Sequence, residues 1–474
     1  MRTFIFSSLF FLTTAIVVAQ PYIQPQFAVG VEKNITYGTA KNFAGNDEDL
    51  KLDIYKPLNN NDLNRPIYLH VHGGSWLEIS NKDAAEDVAV CMEMAKKGYV
   101  AVNVEYRRGY HRLNYYVPYA LCSTLAFPNQ SDCIYVQDTS EVVRAIYRGM
   151  QDAKAAIRFM KGRHAVDSTN VNAVCIGGES AGGFIAMYAG YLTCADEKPA
   201  ACFALPNALP TDADLADCNP ATISLARPDL GSIEGEINMN GYDATVAGVA
   251  NYYGGIMHPI IPGPKPPVLY LFHQKSDVIV DCDYKMPILS FFEQVIYPLN
   301  LCQPLYTIPK AWGSCSIATM LADLGPNAPA YNAQIINNGP PNSLANPPGH
   351  AYDNIILRTT QAAALFSLYV TGQAQAPQGI NCIVSDNEPV THQNGIKISP
   401  NPFHNRFQMT VSVTQITPAF IRMTNIDGKV IYEKQTIFQQ GENTITVDLQ
   451  PIPGVYFITI NVQGKTLSEK IAAF

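Results

Sequence analysis

The sequence predicts an α/β domain, a mostly parallel sheet covered by helices on both faces, followed by a small all-β sandwich. Three observations carry this. Strand-like apolar runs alternate with helical stripes as far as about residue 372, which is the pattern of a parallel sheet buried on both sides. The composition then shifts, because Gln373 to Asn394 is rich in Gln, Pro and Asn and suits a linker. Beyond the linker the apolar pattern has a period of two, broken by turns at Asp427-Gly428, Gln440-Gly441 and Gln463-Gly464. At 474 residues the chain exceeds one compact core, which agrees with a large domain and an appendage. The expected boundaries are a signal peptide at 1–19, the α/β domain at 20–372, the linker at 373–394 and the sandwich at 395–474.

Each segment has its own justification. Arg2, the apolar run Phe4 to Val18 and the small residues Val17-Val18-Ala19 before Gln20 form a secretory signal with a cleavage site. The product is expected to leave the cytoplasm through the periplasm, for the cell surface or the medium. Leu50 to Tyr55 and Arg65 to His72 are strands, the second leading into Gly73-Gly74-Ser75-Trp76. A helix follows, with Ser80 or Asn81 as its cap, the stripe Ala84, Val88, Cys91, Met92 and Ala95, and a stop at Lys96-Lys97-Gly98. Tyr99 to Tyr106 is the next strand. Residues 108–137 are a tyrosine-rich excursion without a clean period. Val143, Ile146, Met150, Ala153, Ile157 and Met160 then mark a helix ending at Gly162. Val171 to Ile176, Val246 to Tyr253 and Val268 to Phe272 are strands, and Leu357 to Val370 is a closing helix. Stretches 194–240 and about 303–348, rich in Pro, Asn and Asp or Gly, are expected to be irregular, cap-like insertions.

The net charge of −8 and a pI near 5.6, with no basic face, argue against a nucleic-acid partner. Eleven cysteines in an exported chain permit disulfides and leave at least one thiol unpaired. Cys122 with Cys133 and Cys302 with Cys315 bracket short loops, and Cys194, Cys202 and Cys218 allow a third bond in more than one way. Cys91 and Cys175 lie on apolar faces and are expected as buried thiols. No Cys/His metal spacing is present, and no cofactor or metal is expected. The acid cluster Asp212, Asp214 and Asp217 lacks a full calcium-loop pattern.

The chemistry concentrates in Gly177-Gly178-Glu179-Ser180-Ala181-Gly182-Gly183. A Gly-x-Ser-x-Gly turn between a strand and a small-residue helix presents the serine hydroxyl at a sharp bend, with the Ala181 N–H at the positive end of a helix. Acyl transfer also needs a base, an acid that orients it, and oxyanion donors. Gly73 and Gly74 lie after a strand, where bare backbone N–H groups can approach an oxyanion. Asp277 follows the strand ending at Phe272, and His350 follows Pro347-Pro348-Gly349 before the last helix. Ser180, Asp277, His350 is the chain order expected of an α/β-hydrolase. Asp281 and Asp283 are alternative acids, and His72 is expected to brace the glycine loop. Tyr110, Tyr115, Tyr116 and Tyr119 could wall a substrate pocket.

His72-Gly73-Gly74-Ser75-Trp76, Tyr106-Arg107 and Gly178-Glu179-Ser180-Ala181-Gly182-Gly183 resemble the carboxylesterases of the α/β-hydrolase superfamily, closest to type-B and hormone-sensitive-lipase-like esterases. The resemblance spans about 45–372. It implies Ser180 as nucleophile, His350 as base, Asp277 as acid and the N–H groups of Gly73, Gly74 and Ala181 as oxyanion donors. It departs at Gln274, where glycine is frequent. The expected activity is hydrolysis of carboxylic esters, aromatic, plant-polysaccharide or polyester. A peptidase on the same fold and a silent binding protein are the alternatives. Ile398-Ser399-Pro400-Asn401-Pro402-Phe403, Asn425 to Lys429, Gly441-Glu442-Asn443 and Pro453 to Phe457 resemble the sorting domain of type IX secretion in Bacteroidetes. That resemblance implies the type IX machinery as a partner, although Ala472-Ala473-Phe474 lacks the usual terminal lysine.

Overall fold

In the computed structural model the described residues are 21–77, 80–111, 138–208, 224–258, 260, 267–291, 308–337, 349–373, 396–399, 403, 405–413, 416–425, 429–449, 454–462 and 465–473. The chain divides into two compact units, Met1–Cys382 and Ile383–Phe474. The signal at 1–19 and nearly all of the linker lie outside the described residues, as do the acid cluster at 212–217 and Tyr115, Tyr116 and Tyr119.

In chain order the first unit contains β1 (Val29–Lys41), β2 (Asp47–Pro57), β3 (Arg65–Val71), α1 (Ala85–Lys96), β4 (Val100–Val104), α2 (Thr139–Gly162), β5 (Thr169–Glu179), α3 (Ala181–Tyr191), β6 (Gly248–Tyr252), β7 (Gly255–Ile256), β8 (Val268–Gln274), β9 (Tyr284–Lys285), β10 (Ala311–Gly313), α4 (Ser314–Leu324), β11 (Tyr331–Ile336) and α5 (Ile355–Val370). Eight strands form one sheet in the order β1-β2-β4-β3-β5-β6-β8-β11. The pairs β1/β2 and β2/β4 are antiparallel, and the remaining pairs are parallel.

The strands alternate apolar side chains between two buried faces, as period-two geometry requires. Ile67, Leu69, Val71, Val100, Val102, Val104, Val174 and Ile176 point into one core with α2 and α3 residues such as Ile146, Ile157, Phe184 and Ile185. Tyr68, Ala101, Cys175, Ala250, Tyr252 and Tyr270 point into the other, where Cys91 and Met94 of α1 meet Ala362 and Phe366 of α5. Burial on both faces gives the central strands their continuous apolar runs.

Helix ends follow local chemistry. The Asp138 side chain accepts from the Ser140 N–H at the start of α2, and Asn354 accepts from Leu357 at the start of α5. The expected cap of α1 is corrected. Its N-cap is Ala84, with no side-chain bond, and Asn81 instead accepts from the Asp83 N–H in the preceding turn.

The third insertion is also corrected, because 303–348 contains structural parts of the domain. Helix α4 packs Ile317 and Leu321 into the main core, and β11 extends the sheet in parallel beside β8. As a sheet edge, β11 buries none of its residues fully. Its Tyr-Asn-Ala-Gln-Ile-Ile sequence therefore mixes polar and apolar residues and lacks the run that marks a central strand. Cys315 pairs with Cys282 and not with Cys302, since the Ala311–Gly313 strand pairs with Tyr284–Lys285 and carries the start of α4 past Cys282. Cys194 is disulfide-bonded to a partner outside the described residues, whereas Cys91, Cys175 and Cys202 are free and buried.

The second unit is all-β. Strands β12 (Lys397–Ser399), β13 (Arg406–Val413) and β16 (Gly441–Asp448) form one antiparallel sheet. Strands β14 (Thr417–Asn425), β15 (Val430–Phe438), β17 (Gly454–Val462) and β18 (Lys465–Ala473) form the other, in the order β15-β14-β17-β18. Phe407, Met409, Val411, Ile421, Met423, Ile458 and Ile460 share a core of their own.

Candidate active site

The site forms at the carboxyl ends of the parallel strands, where an open α/β sheet places its ligands. Between β5 and α3, Ser180 has φ 52° and ψ −121°, a strained backbone for a residue with a Cβ. Packing holds the strain. A Cβ on Gly178 would lie 2.2 Å from the Gly182 carbonyl oxygen, and one on Gly182 would lie 2.0 Å from that of Val71. The Ser180 N–H donates to the Tyr252 carbonyl at 2.9 Å, and its carbonyl accepts from Gly183. Left-handed backbone recurs around it at Gly74, Ser75, Trp76 and Tyr253.

Three loops bring the chemistry together. His350 Nε2 lies 2.8 Å from Ser180 Oγ. Its Nδ1 lies 2.9 Å from Asp277 Oδ2 and 3.1 Å from Oδ1. Asp277 is held in turn by the N–H groups of Ile279 and Val280 at 2.8 and 3.0 Å, and by His273 Nε2 at 3.2 Å. Gly349 has φ 75°, and a Cβ there would lie 2.4 Å from the Asp277 nitrogen, so only glycine lets the histidine loop close on the aspartate. Asp281 instead accepts from the Asp283 N–H and the Ser290 hydroxyl.

Burial alone would favour the neutral forms of both triad groups. For His350 the burial penalty is outweighed by the charge and hydrogen bond of Asp277, with Glu179 and Glu86 beyond, so its pKa is raised. Burial pushes Asp277 up as well, but His350 and His273 outweigh it and the net shift is down. An imidazole so placed takes a proton from a hydroxyl at Nε2 while Nδ1–H stays on the carboxylate.

The oxyanion side departs from the expected set at one position. The Gly73 N–H donates to Glu179 Oε1 at 2.8 Å, so it is already engaged. A Cβ at Gly73 would lie 2.3 Å from the same oxygen. The Ala181 N–H belongs to the first residue of α3 and has no intrahelical carbonyl to donate to. Gly74 follows at the head of the same loop. His72 braces that loop through Nδ1 to the Gly73 carbonyl at 2.8 Å, stacks on Tyr106 with ring centroids 4.5 Å apart, and reaches Glu105.

Glu179 joins the site without being among the expected site residues. It follows Gly178 in the elbow signature, which was the available signal. Burial first, then Asp87, pushes its carboxyl up to about 7 against the opposing pull of His350 and the Tyr253 hydroxyl. The Tyr253 ring meets His350 edge-on at 5.0 Å. Tyr110 is corrected as a substrate wall, because it is 1% exposed within the main core and leaves no ring face to a ligand. No cluster of three or more His, Cys, Asp or Glu that could hold a metal ion occurs among the described residues. No helix among them is long and apolar enough to cross a membrane.

Comparisons with known proteins give two family matches. Residues 52–113 match the BD-FAE family, an esterase-like domain, and residues 397–473 match the secretion system C-terminal sorting domain. No curated protein matches the chain. Among solved structures, a truncated carbohydrate esterase from gut microbiota is 13% identical, with 73% of this chain and 99% of that one covered and a TM-score of 0.39. Esterase Est2 of the Planctomycetes species Thermogutta terrifontis is 16% identical over 75% and 95%, with a TM-score of 0.38. A bifunctional GH43-CE protein of Bacteroides eggerthii is 16% identical over 71% and 35%, also at 0.38. The family matches support an ester hydrolase carrying a type IX sorting domain, and that domain directs export to the cell surface or the extracellular space.

Proposed function

We propose that the first unit is a serine carboxylesterase working through an acyl-enzyme. Ser180 Oγ attacks the ester carbonyl carbon as His350 Nε2 takes its proton. The carbonyl electron pair moves onto oxygen, which the N–H groups of Gly74 and Ala181 receive. Collapse of the tetrahedral intermediate breaks the C–O bond, and His350 returns the proton to the departing alcohol. Water, deprotonated by the same imidazole, attacks the acyl group and regenerates Ser180 with release of the acid. Asp277 holds the imidazole tautomer and offsets its transient charge. The unbroken hydrogen-bond chain Ser180–His350–Asp277, ending on a strained elbow, carries this reading.

Extracellular export and the esterase-like segment favour esters met outside the cell, such as feruloyl or acetyl groups on plant polysaccharide, or aromatic polyester. Ser180→Ala is expected to lower kcat on short-chain nitrophenyl esters by about 10³-fold or more with an unchanged melting temperature. Wild-type-like turnover in that variant would overturn the assignment.

A further inference from the structure

Four arginines, Arg107, Arg144, Arg148 and Arg227, line a cavity of about 870 Å³ beside α2. Two of them have carboxylate partners. Arg107 has Asp152 at 2.7 Å, and Arg227 has Asp138 at 2.6 Å and Glu141 at 3.4 Å. Arg144 and Arg148 form no ion pair with any described residue, although they are only 2% and 4% exposed. Four positions apart on α2, they share one face of the helix. Arg144 donates from Nη1 to the Ala201 and Phe203 carbonyls and from Nη2 to the Pro228 carbonyl. Arg148 donates from Nη2 to the Gly109 carbonyl at 2.7 Å, and its Nε is buried without a partner. Arg144 Nε and Arg148 Nη1 also make no hydrogen bond to the described residues, and neither is enclosed by protein. Both therefore open onto the cavity that their residues line.

A buried charge without a counter-ion is costly. Carbonyl dipoles soften that cost and leave the charge in place. Burial accordingly lowers the pKa of both guanidinium groups, Arg148 to about 10, while Glu141 pulls the other way. Glu141 is itself committed, because Oε2 accepts from the His111 N–H and Oε1 from Arg227. Phe43 in the turn between β1 and β2, with Leu230 and Ile237, adds apolar wall. Among the described residues that line the cavity, none is Ser180, Asp277, His350 or Glu179. Its volume falls in the range of small-molecule sites, about 300–1,000 Å³.

We propose that this cavity binds a small organic carboxylate, whose oxygens take the N–H groups that Arg144 and Arg148 leave unmatched and whose apolar body lies against Phe43, Leu230 and Ile237. The site is separate from the triad and does not rest on the esterase reading. Guanidinium N–H groups suit the two in-plane oxygens of a carboxylate, and the bond between opposite charges is the strong kind. One negative charge also offsets what the protein leaves uncompensated. A phosphate dianion fits less well. Glu141 and Asp152 already place negative charge in the same wall, and an inorganic ion would leave the apolar surface uncovered. A neutral ligand of the same shape would fill the apolar part and leave the arginines as they are.

Benzoate is the probe and benzamide its uncharged match, each titrated calorimetrically into the full-length chain near pH 7. Benzoate is expected to fill one saturable site and to bind more weakly as salt is added, with no benzamide binding over the same range. Hexanoate should displace benzoate, and inorganic phosphate at the same concentration should not. Arg144→Met and Arg148→Met should each weaken benzoate binding about tenfold or more, the scale of a lost hydrogen bond between charged groups. Arg148→Lys keeps the charge and a donor for the Gly109 carbonyl, and should weaken binding by less than Arg148→Met with an unchanged melting temperature. The wild-type comparison of benzoate, benzamide and phosphate decides the point even where an arginine variant fails to fold. Absence of saturable benzoate binding, equal binding of benzamide, or undiminished binding in both methionine variants would overturn the site. Displacement by phosphate as effective as by hexanoate would overturn the carboxylate as its ligand.

Discussion

At the scale of single residues, Glu179 couples the two halves of the site. Its carboxylate takes the Gly73 N–H and its charge helps to raise the His350 pKa. With Glu179 itself pushed up to about 7, the two groups titrate together, and the acidic limb of kcat/KM belongs to the pair. Groups facing them are Glu86 and Asp87 from α1, Tyr253 after β6 and Asp277 after β8. The sign is fixed by the base, which works only when neutral, so activity rises with pH through a midpoint above the ordinary histidine value of 6.5. Glu179→Gln keeps an acceptor for Gly73 and removes the charge. It is expected to move that midpoint to lower pH and leave a single ionisation, with kcat at pH 8 within a few fold of wild type. Glu179→Ala also frees the glycine loop and should lose about 10²-fold in kcat, the scale of a displaced oxyanion donor. Identical pH–rate profiles for wild type and Glu179→Gln would refute the coupling. The engagement of Gly73 was not legible in the sequence, since it joins residues 106 positions apart and a glycine motif does not reveal which of its N–H groups are free.

Among elements, α3 is the one whose placement the site depends on, and glycines set how close it comes. A methyl on Gly182 would meet the carbonyl oxygens of Val71 and His72 at 2.0 and 2.6 Å. These are backbone atoms at the end of β3, with no side chain to swing aside. On Gly190, at the far end of α3, a methyl would meet Val249 Cγ2 at 2.4 Å, which a rotamer change can relieve. Gly182→Ala is therefore expected to push the helix start off the sheet and carry the Ala181 N–H with it, lowering both melting temperature and kcat, the latter by about 10²-fold. Gly190→Ala should keep kcat and lower the melting temperature by a smaller amount. Equal activity and stability in the two variants would show that α3 does not depend on that close approach. The sequence made such elements legible where both faces of a strand or one stripe of a helix are buried, as in β3, β5, α2 and α5. It did not for β11 and α4, where an edge position and only two buried apolar residues on the helix left the pattern looking like loop.

For the whole molecule, two cores imply two separable tasks. The sandwich buries Phe407, Met409, Ile421, Met423, Ile458 and Ile460 among themselves, and the change to period-two patterning beyond residue 394 made that unit legible without any structure. Ser180, Asp277, His350, Glu179 and the glycine loop all precede residue 372, so the proposed chemistry draws on no residue of the sorting domain. A chain ending at Asn394 is expected to retain kcat and KM on soluble nitrophenyl esters and to melt with the first unit's own transition. The full chain should show a second transition from the sandwich, as independent cores do. In a host with type IX secretion, the shortened chain should accumulate in the periplasm, while the full chain reaches the surface or the medium. Fractionation followed by ester hydrolysis in each compartment measures this. A shortened chain that is folded but inactive would mean that the sandwich contributes to the site. One that is released as efficiently as the full chain would mean that sorting is directed from elsewhere in the protein.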